Sequence, residues 1–197
     1  MDTLEAIFTR RSTRKLRKDP VPHGLVEKIL EAGRVAPCGG NSQTTHFIVI
    51  ENQQILEALA GIVCQAFAGM GVKKDTYKSL RKSIIASKRG DYVFHYGAPV
   101  LVVTANKTGY GNAMADSACA LENMMIAANA LDLGSCYINQ LHWLTDNDTV
   151  RGCMEDLGLT EDEFITGGMI LGYPDTADGK PLRDKKDITG NPVTWIS

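Results

Sequence analysis

The sequence predicts an α+β or α/β chain whose small sheet is covered by helices. Three observations carry that reading. First, the runs HFIVIEN (46–52), PVLVVT (99–104) and FITGGMILGY (164–173) are apolar and rich in β-branched residues, and they alternate with segments of helical periodicity. Second, PVLVVT is apolar at successive positions, as a central strand covered on both faces requires. Third, residues 111–134 form a long Ala- and Met-rich stretch, the composition of a helix buried on more than one side.

The elements follow in order. Leu4, Ile7 and Phe8 fall at helical spacing and predict a short amphipathic helix. RRSTRKLRK (10–18) follows, with six basic residues and no acidic one, and Pro20 and Pro22 then break the chain. Val26, Ile29, Leu30 and Gly33 recur at three- and four-residue steps, so residues 23–35 read as a helix that Pro37 ends. PCGGNSQTTH (37–46) is a loop by composition, leading into the first strand. Ile55, Leu56, Leu59, Ile62 and Val63 mark the next helix, and the Lys-, Arg- and Ser-rich residues 73–92 an exposed helix or excursion. After PVLVVT comes the long helix, with Asn112 as N-cap and Gly134 as the stop. SCYIN is a short strand, and Asp146 or Asn147 caps a helix ending near Gly158. FITGGMILGY is the last strand, closed by Pro174, and the polar tail ends in the apolar VTWIS. No repeat or linker interrupts the chain, so residues 1–197 read as one domain. The long helix and the apolar tail exceed what one small sheet can cover, which predicts a dimer interface.

The 197 residues are 44% hydrophobic and 22% charged, close to globular averages. A chain of this length buries well over half of its unfolded surface without disulfide or metal. A net charge of -2 excludes a globally basic nucleic-acid binder. Glycine, 19 of 197 residues, exceeds its usual share of about 7%, as backbone approaches at a cofactor site require. No apolar run reaches the roughly 18 residues of a membrane span. Asp2 and Glu5 interrupt any signal-peptide pattern. The five cysteines form no C-x-x-C pair and the four histidines lack metal-ligand spacing, so the expectation is a reduced, cytoplasmic chain without a metal.

Three segments carry chemistry. Arg10, Ser12 and Arg14 surround a small hydroxyl with guanidinium groups, and alternate spacing in an extended segment puts them on one side, as in a phosphate cradle. A solvated basic turn and a nucleic-acid arm are the competing readings, the latter opposed by the acidic balance and the lack of interleaved aromatics. APCGGNSQ (36–43) exposes glycine N–H groups, while Asn41 and Gln43 offer paired amides suited to the polar edge of a heterocycle. In LDLGSCYINQ (131–140) a helix stops and feeds a strand that delivers backbone amides to a fixed place.

Arg10–Arg14, Ala36–Gln43, Leu133–Ile138, Leu171–Pro174 and Arg183, in this order, resemble the FMN-dependent nitroreductase family over nearly the whole chain. The resemblance implies an α+β fold, a small mixed or antiparallel sheet flanked by helices, in an intertwined homodimer with FMN in interface sites. Arg10, Ser12 and Arg14 then hold the phosphate and ribityl chain, with Arg11 close by and Arg183 as a further phosphate contact. Pro37, Cys38, Gly39, Asn41 and Gln43 approach the flavin from the partner subunit. Tyr137, Ile138, Asn139 and Gln140 line the ring and bring a backbone N–H near its redox-active nitrogen. It also implies hydride transfer from NADH or NADPH through FMN to a small-molecule acceptor, a nitroaromatic, a quinone or similar, with no protein acid, base or nucleophile. A specialised flavin oxidase or dehalogenase, and a non-catalytic FMN-binding or regulatory protein, are the alternatives. Three departures from the family pattern fall near the expected pocket: Cys38 for serine, Thr44 and Thr45 for Pro-Trp, and Asn139 and Gln140 for small residues. The family's mid-chain flavin contact has Gln65, Lys73 or Lys74 as candidates.

Overall fold

In the computed structural model, which describes residues 1–184 and 189–196, all strand pairs are antiparallel. Strands β1 (His46–Ile50), β2 (Val100–Lys107), β3 (Gly134–Ile138) and β4 (Glu163–Gly172) lie in the order β1-β2-β4-β3. Helices α1 (Thr3–Thr9), α2 (His23–Arg34), α3 (Gln53–Ala68), α4 (Lys78–Arg89), α5 (Ala113–Ala130) and α6 (Asp148–Asp156) surround that sheet. VTWIS extends past the described residues at Ser197.

The apolar run of β2 does what its composition requires. Leu101, Val103 and Ala105 point into a core shared with α3, α4 and α6, through Leu56, Leu59, Phe67, Ile84 and Met154. Val100 and Val102 point the other way, into a core shared with α2 and α5, through Ile29, Leu121 and Met124. Strand alternation thus divides one continuous apolar run between two layers. Each such side chain contributes about 1.5–3 kcal/mol by leaving water. Neighbouring β4 crosses β2 with a register shift between Thr104 and Ala105. Thr166 sits at that irregularity and donates its hydroxyl to Thr104 O at 2.9 Å. At Gly168 a Cβ would lie 2.8 Å from Val102 O, so only glycine lets the two central strands close here.

Two boundaries of α5 differ from expectation. Asn112 precedes the helix, but its side chain caps no N–H. The residue is turned toward the loop at Gly39, where a Cβ would meet Asn112 Nδ2. The helix also stops before Gly134: Leu131 closes it, and Asp132 takes the left-handed turn at φ 60°. An aspartate tolerates that conformation because its short polar side chain bonds locally. Gly134 instead opens β3, where a Cβ would strike the side chains of Leu16 and Thr13 at 2.8 Å. Asn147 is the cap of α6, accepting from Val150 N at 3.1 Å. Of the methionines on α5, Met124 and Met125 are core, whereas Met114 is exposed.

Candidate functional site

The edge of β3 away from β4 receives the basic segment. Thr13 N donates to Ser135 O at 2.8 Å, and Arg17 N donates to Tyr173 O at 2.8 Å. Ser12 bridges Ser135, and Leu16 bridges Pro174. These main-chain contacts fix a stretch of like charges that would repel itself in solution. Arg11 through Lys15, with Thr176, Leu182 and Asp184, line a cavity of about 320 Å³. The lining is therefore contiguous rather than alternating. Arg10 does not line it, because its Nε pairs with Glu122 of α5 at 3.3 Å. Arg11 donates to Arg10 O at 3.0 Å and to Asp184 O, while its Nε is buried without a partner among the described residues. Arg14 makes no ion pair among the described residues and also lines a second cavity, of about 690 Å³. Arg183 is placed elsewhere. It donates to Asn129 O at 2.6 Å and to Asp132 Oδ1 at 2.7 Å, at the C-terminal end of α5 where a cation is favoured.

The turn after β3 contributes Gln140 alone to the lining of the second cavity, whereas Tyr137, Ile138 and Asn139 line none of the three cavities described here. Ile138 is buried in the core, so its side chain anchors the strand end. Tyr137 donates its hydroxyl to Asn139 Oδ1 at 2.9 Å. Asn139 N donates to Gln140 Oε1 at 3.0 Å, and Gln140 Nε2 donates to the Tyr92 oxygen at 2.8 Å. The Tyr92 hydroxyl lies 2.7 Å from Ser83 Oγ on α4. Burial raises the Tyr92 phenol, outweighing the hydrogen bonds from Ser83 and Gln140, and burial raises that of Tyr137. Both phenols stay neutral donors at physiological pH. The Asn139 N–H is thus satisfied within the turn.

The 36–43 loop makes a third cavity, of about 450 Å³, lined by Pro37, Cys38, Asn41 and Gln43 together with Arg34 and Asp116. Gly40, Asn41 and Gln43 all have left-handed backbones, with φ of 58°, 54° and 49°. The Gln43 N–H points at Cys38 Sγ at 3.4 Å, and Gln43 Nε2 donates to Asn41 Oδ1 at 3.0 Å. Gly39 is held underneath by Asp116. Thr45 Oγ1 accepts from Asn106 Nδ2 at 3.3 Å, so the missing Pro-Trp pair leaves a polar contact in its place. This cavity shares no lining residue with the other two. Within one chain, then, the basic segment and the turn after β3 come together through Arg14, and the 36–43 loop stands apart.

Gln65, Lys73 and Lys74 are exposed and line none of these cavities. The mid-chain residues that do are Lys82 and Arg89 of α4 with Tyr92 and Tyr96. Their signal was present in the helical spacing of Ser79, Lys82, Ser83, Ala86 and Arg89. Among the described residues no cluster of His, Cys, Asp or Glu could hold a metal ion. None of their helices is long and apolar enough to cross a membrane.

Residues 7–173 match the Nitroreductase family. The chain belongs to the nitroreductase family. A nitroreductase with bound FMN from Bacteroides fragilis superimposes with a TM-score of 0.85 and is 36% identical, covering 100% of both chains. A nitroreductase with bound FMN from Desulfitobacterium hafniense has the same fold, with a TM-score of 0.80 at 22% identity over 100% of both chains. Among relatives in sequence, a Methanothermobacter thermautotrophicus protein provisionally named NADH dehydrogenase/NAD(P)H nitroreductase is 28% identical, over 95% of this chain and 84% of its own length. An NADPH-dependent oxidoreductase of Staphylococcus epidermidis is 27% identical, over 90% of this chain and 67% of its own length. The nitroreductase fold thus accounts for the antiparallel sheet and its helical layers.

Proposed function

We propose that this nitroreductase-family chain is an FMN-dependent oxidoreductase that passes electrons from NADH or NADPH to a nitroaromatic, quinone or similar acceptor. The observation that carries the reading is the junction at Arg14. One cavity, walled by the backbone and three cations of 11–15 and by Asp175 and Asp184, has the net positive lining that suits a phosphate and its chain. The adjoining one, at the turn after β3, has the size and donor set for the polar edge of a ring.

The residues present fit FMN. Among the described residues, the Arg11 Nε is buried without a partner and the Arg14 guanidinium makes no ion pair, so both are donors that an anion would satisfy. Ser12 supplies a short hydroxyl donor, on a backbone already fixed by Ser135. Bound there, FMN supplies two-electron hydride chemistry, which the protein's own side chains lack. The chain's part is binding, orientation and electrostatics. The Ser83–Tyr92–Gln140–Asn139 hydrogen bonds hold the turn in one shape, so that Tyr137 and Asn139 present a fixed rim. Positive charge from Arg14 close to a bound flavin would favour its anionic reduced form.

The working unit of this reading is a homodimer in which the 36–43 loop of each chain completes the site of the other. Three features support it. Leu4 and Phe8 of α1 are 63% and 60% exposed. Trp195 and Ile196 of the tail are 89% and 96% exposed. Met114, Ala115, Ala118 and Cys119 form an exposed apolar face on α5. Exposed apolar residues grouped on α1, α5 and the tail fit surfaces that a second chain covers.

The test is the visible spectrum of the purified protein after FMN reconstitution, followed by steady-state NADH and NADPH oxidation with a quinone. A colourless protein that takes up no flavin sinks the proposal.

A further inference from the structure

Resting on the flavin reading above, we propose that the Gln140 side chain competes with the flavin ring for the Asn139 N–H and so limits how tightly this chain holds its cofactor.

Most of the turn after β3 is held by partners that cannot leave it singly. Ile138 pairs with Gly168 of β4. Asn139 O accepts from Trp143 N at 3.0 Å, and Asn139 Oδ1 accepts from the Tyr137 hydroxyl at 2.9 Å. The Asn139 N–H is held differently, by Gln140 Oε1 at 3.0 Å. A ladder bond opens only with its strand, whereas a side-chain acceptor leaves by changing rotamer.

Gln140 also stands between that donor and the cavity of about 690 Å³, because Gln140 lines the cavity and Asn139 does not. Both ends of its carboxamide have partners within the protein, Oε1 on Asn139 N and Nε2 on the Tyr92 oxygen at 2.8 Å. Swinging Oε1 away exposes a backbone N–H on a rigid support, a donor suited to an acceptor atom on the polar edge of a ring. Ser79, Lys82 and Arg89 share the lining and are donors for the released oxygen, which keeps the cost of the exchange low. The contact belongs to this chain in particular. Gln140 stands where the family pattern has a small residue, which carries no amide to set on the neighbouring N–H.

The experiment titrates flavin-stripped wild type, Gln140→Ala and Gln140→Met with FMN by fluorescence. In parallel, hydrogen exchange of the Asn139 amide is followed by NMR with and without FMN. Gln140→Met keeps the length of the side chain and removes its hydrogen bonds, so it carries the test even if Gln140→Ala fails to fold. Both variants are expected to bind FMN roughly three- to tenfold more tightly than wild type, the gain from removing one neutral hydrogen bond that the ligand must break. Without FMN the Asn139 amide should exchange slowly in wild type and fast in Gln140→Met, and with FMN slowly in both. Unchanged or lowered affinity in Gln140→Met overturns the inference, since the amide is then idle or part of the binding face. Tighter binding in Gln140→Ala alone also overturns it, because bulk rather than hydrogen bonding is then the obstacle. So does an Asn139 amide that still exchanges fast in FMN-loaded Gln140→Met, for the flavin then does not take that donor. These outcomes leave the flavin reading intact. A wild type that takes up no FMN fails before any comparison and sinks both.

Discussion

Asp116 on α5 accepts the backbone N–H of Gly39 with both carboxylate oxygens, at 3.1 and 3.2 Å. The carboxylate is 6% exposed, and Tyr110 donates its hydroxyl to the same group at 2.9 Å. The Tyr110 oxygen also lies 3.0 Å from Ser42 Oγ. A single buried acid thereby ties the 36–43 loop to the long helix at both ends of its turn. Asp116→Ala leaves the Gly39 N–H without an acceptor and is expected to cost about 1.5–3 kcal/mol in urea unfolding, whereas Asp116→Asn keeps one acceptor and costs less. Equal losses for the two variants would show that the carboxylate does not act through this bond.

Gly39 itself has no room for a side chain: a Cβ would meet Asn112 Nδ2 at 2.1 Å and the Tyr110 oxygen at 2.7 Å. Gly39→Ala is expected to displace both side chains and weaken FMN binding, while a change confined to thermal stability would exclude the loop from the flavin site.

Arg14 and Arg10 are expected to separate in their effects on the flavin. Arg14 lines both joined cavities, and Arg10 is drawn off by Glu122. Arg14→Ala should weaken FMN affinity by about 1.5–3 kcal/mol, the scale of a charge-assisted hydrogen bond, with Arg10→Ala costing less. Fluorescence titration of FMN reads both values. An Arg10 effect equal to or above that of Arg14 would reverse the assignment.

The exposed apolar surface predicts a two-chain mass in sedimentation at micromolar concentration. Phe8→Asp and Trp195→Ala each remove part of that surface and are expected to raise the monomer fraction. FMN affinity should fall in parallel if the second chain completes the site. A wild-type monomer refutes the dimer.

Acidification should destabilise the fold in two stages. His95 is 3% exposed, and burial lowers its pKa below the ordinary 6.5. The unfolded chain then takes up the proton first, so stability starts to fall as pH drops below about 6.5. Burial pushes the Glu163 carboxyl up, but hydrogen bonds from His46 at 2.9 Å and the Thr160 N–H at 3.0 Å outweigh it and hold the carboxyl below 4.5. Its stabilisation is present above that value and is lost as pH falls through the folded pKa. Thermal unfolding from pH 8 to 3 should show both slopes, with His95→Phe removing the upper and Glu163→Gln the lower. A Glu163→Gln profile parallel to wild type below pH 4.5 would refute the second assignment.

Much of this was legible in the chain. The periodicities placed the strands and five of the helices described here, because apolar spacing must match the pitch of the element that buries it, while the polar 73–92 stretch, where α4 forms, stayed open between a helix and an excursion. Less legible were the ends of α5, where Asn112 and Gly134 look like a cap and a stop. Neighbours remote in sequence claim both: the 36–43 loop takes Asn112, and Leu16 and Thr13 press on Gly134. The same limit applied to the basic segment. Its charge was evident, but Glu122 decided that Arg10 turns away, and Asp132 decided that Arg183 does.

The sequence by itself determined the elements, the two-faced central strand and the family, since these rest on local spacing and on ordered motifs. Tertiary structure alone decided which cations share a cavity, that α4 rather than Gln65, Lys73 or Lys74 walls it, and that the 36–43 loop lies apart from the basic segment. Partners across the fold compete for each charge and each N–H, and the outcome depends on distances that no linear spacing encodes.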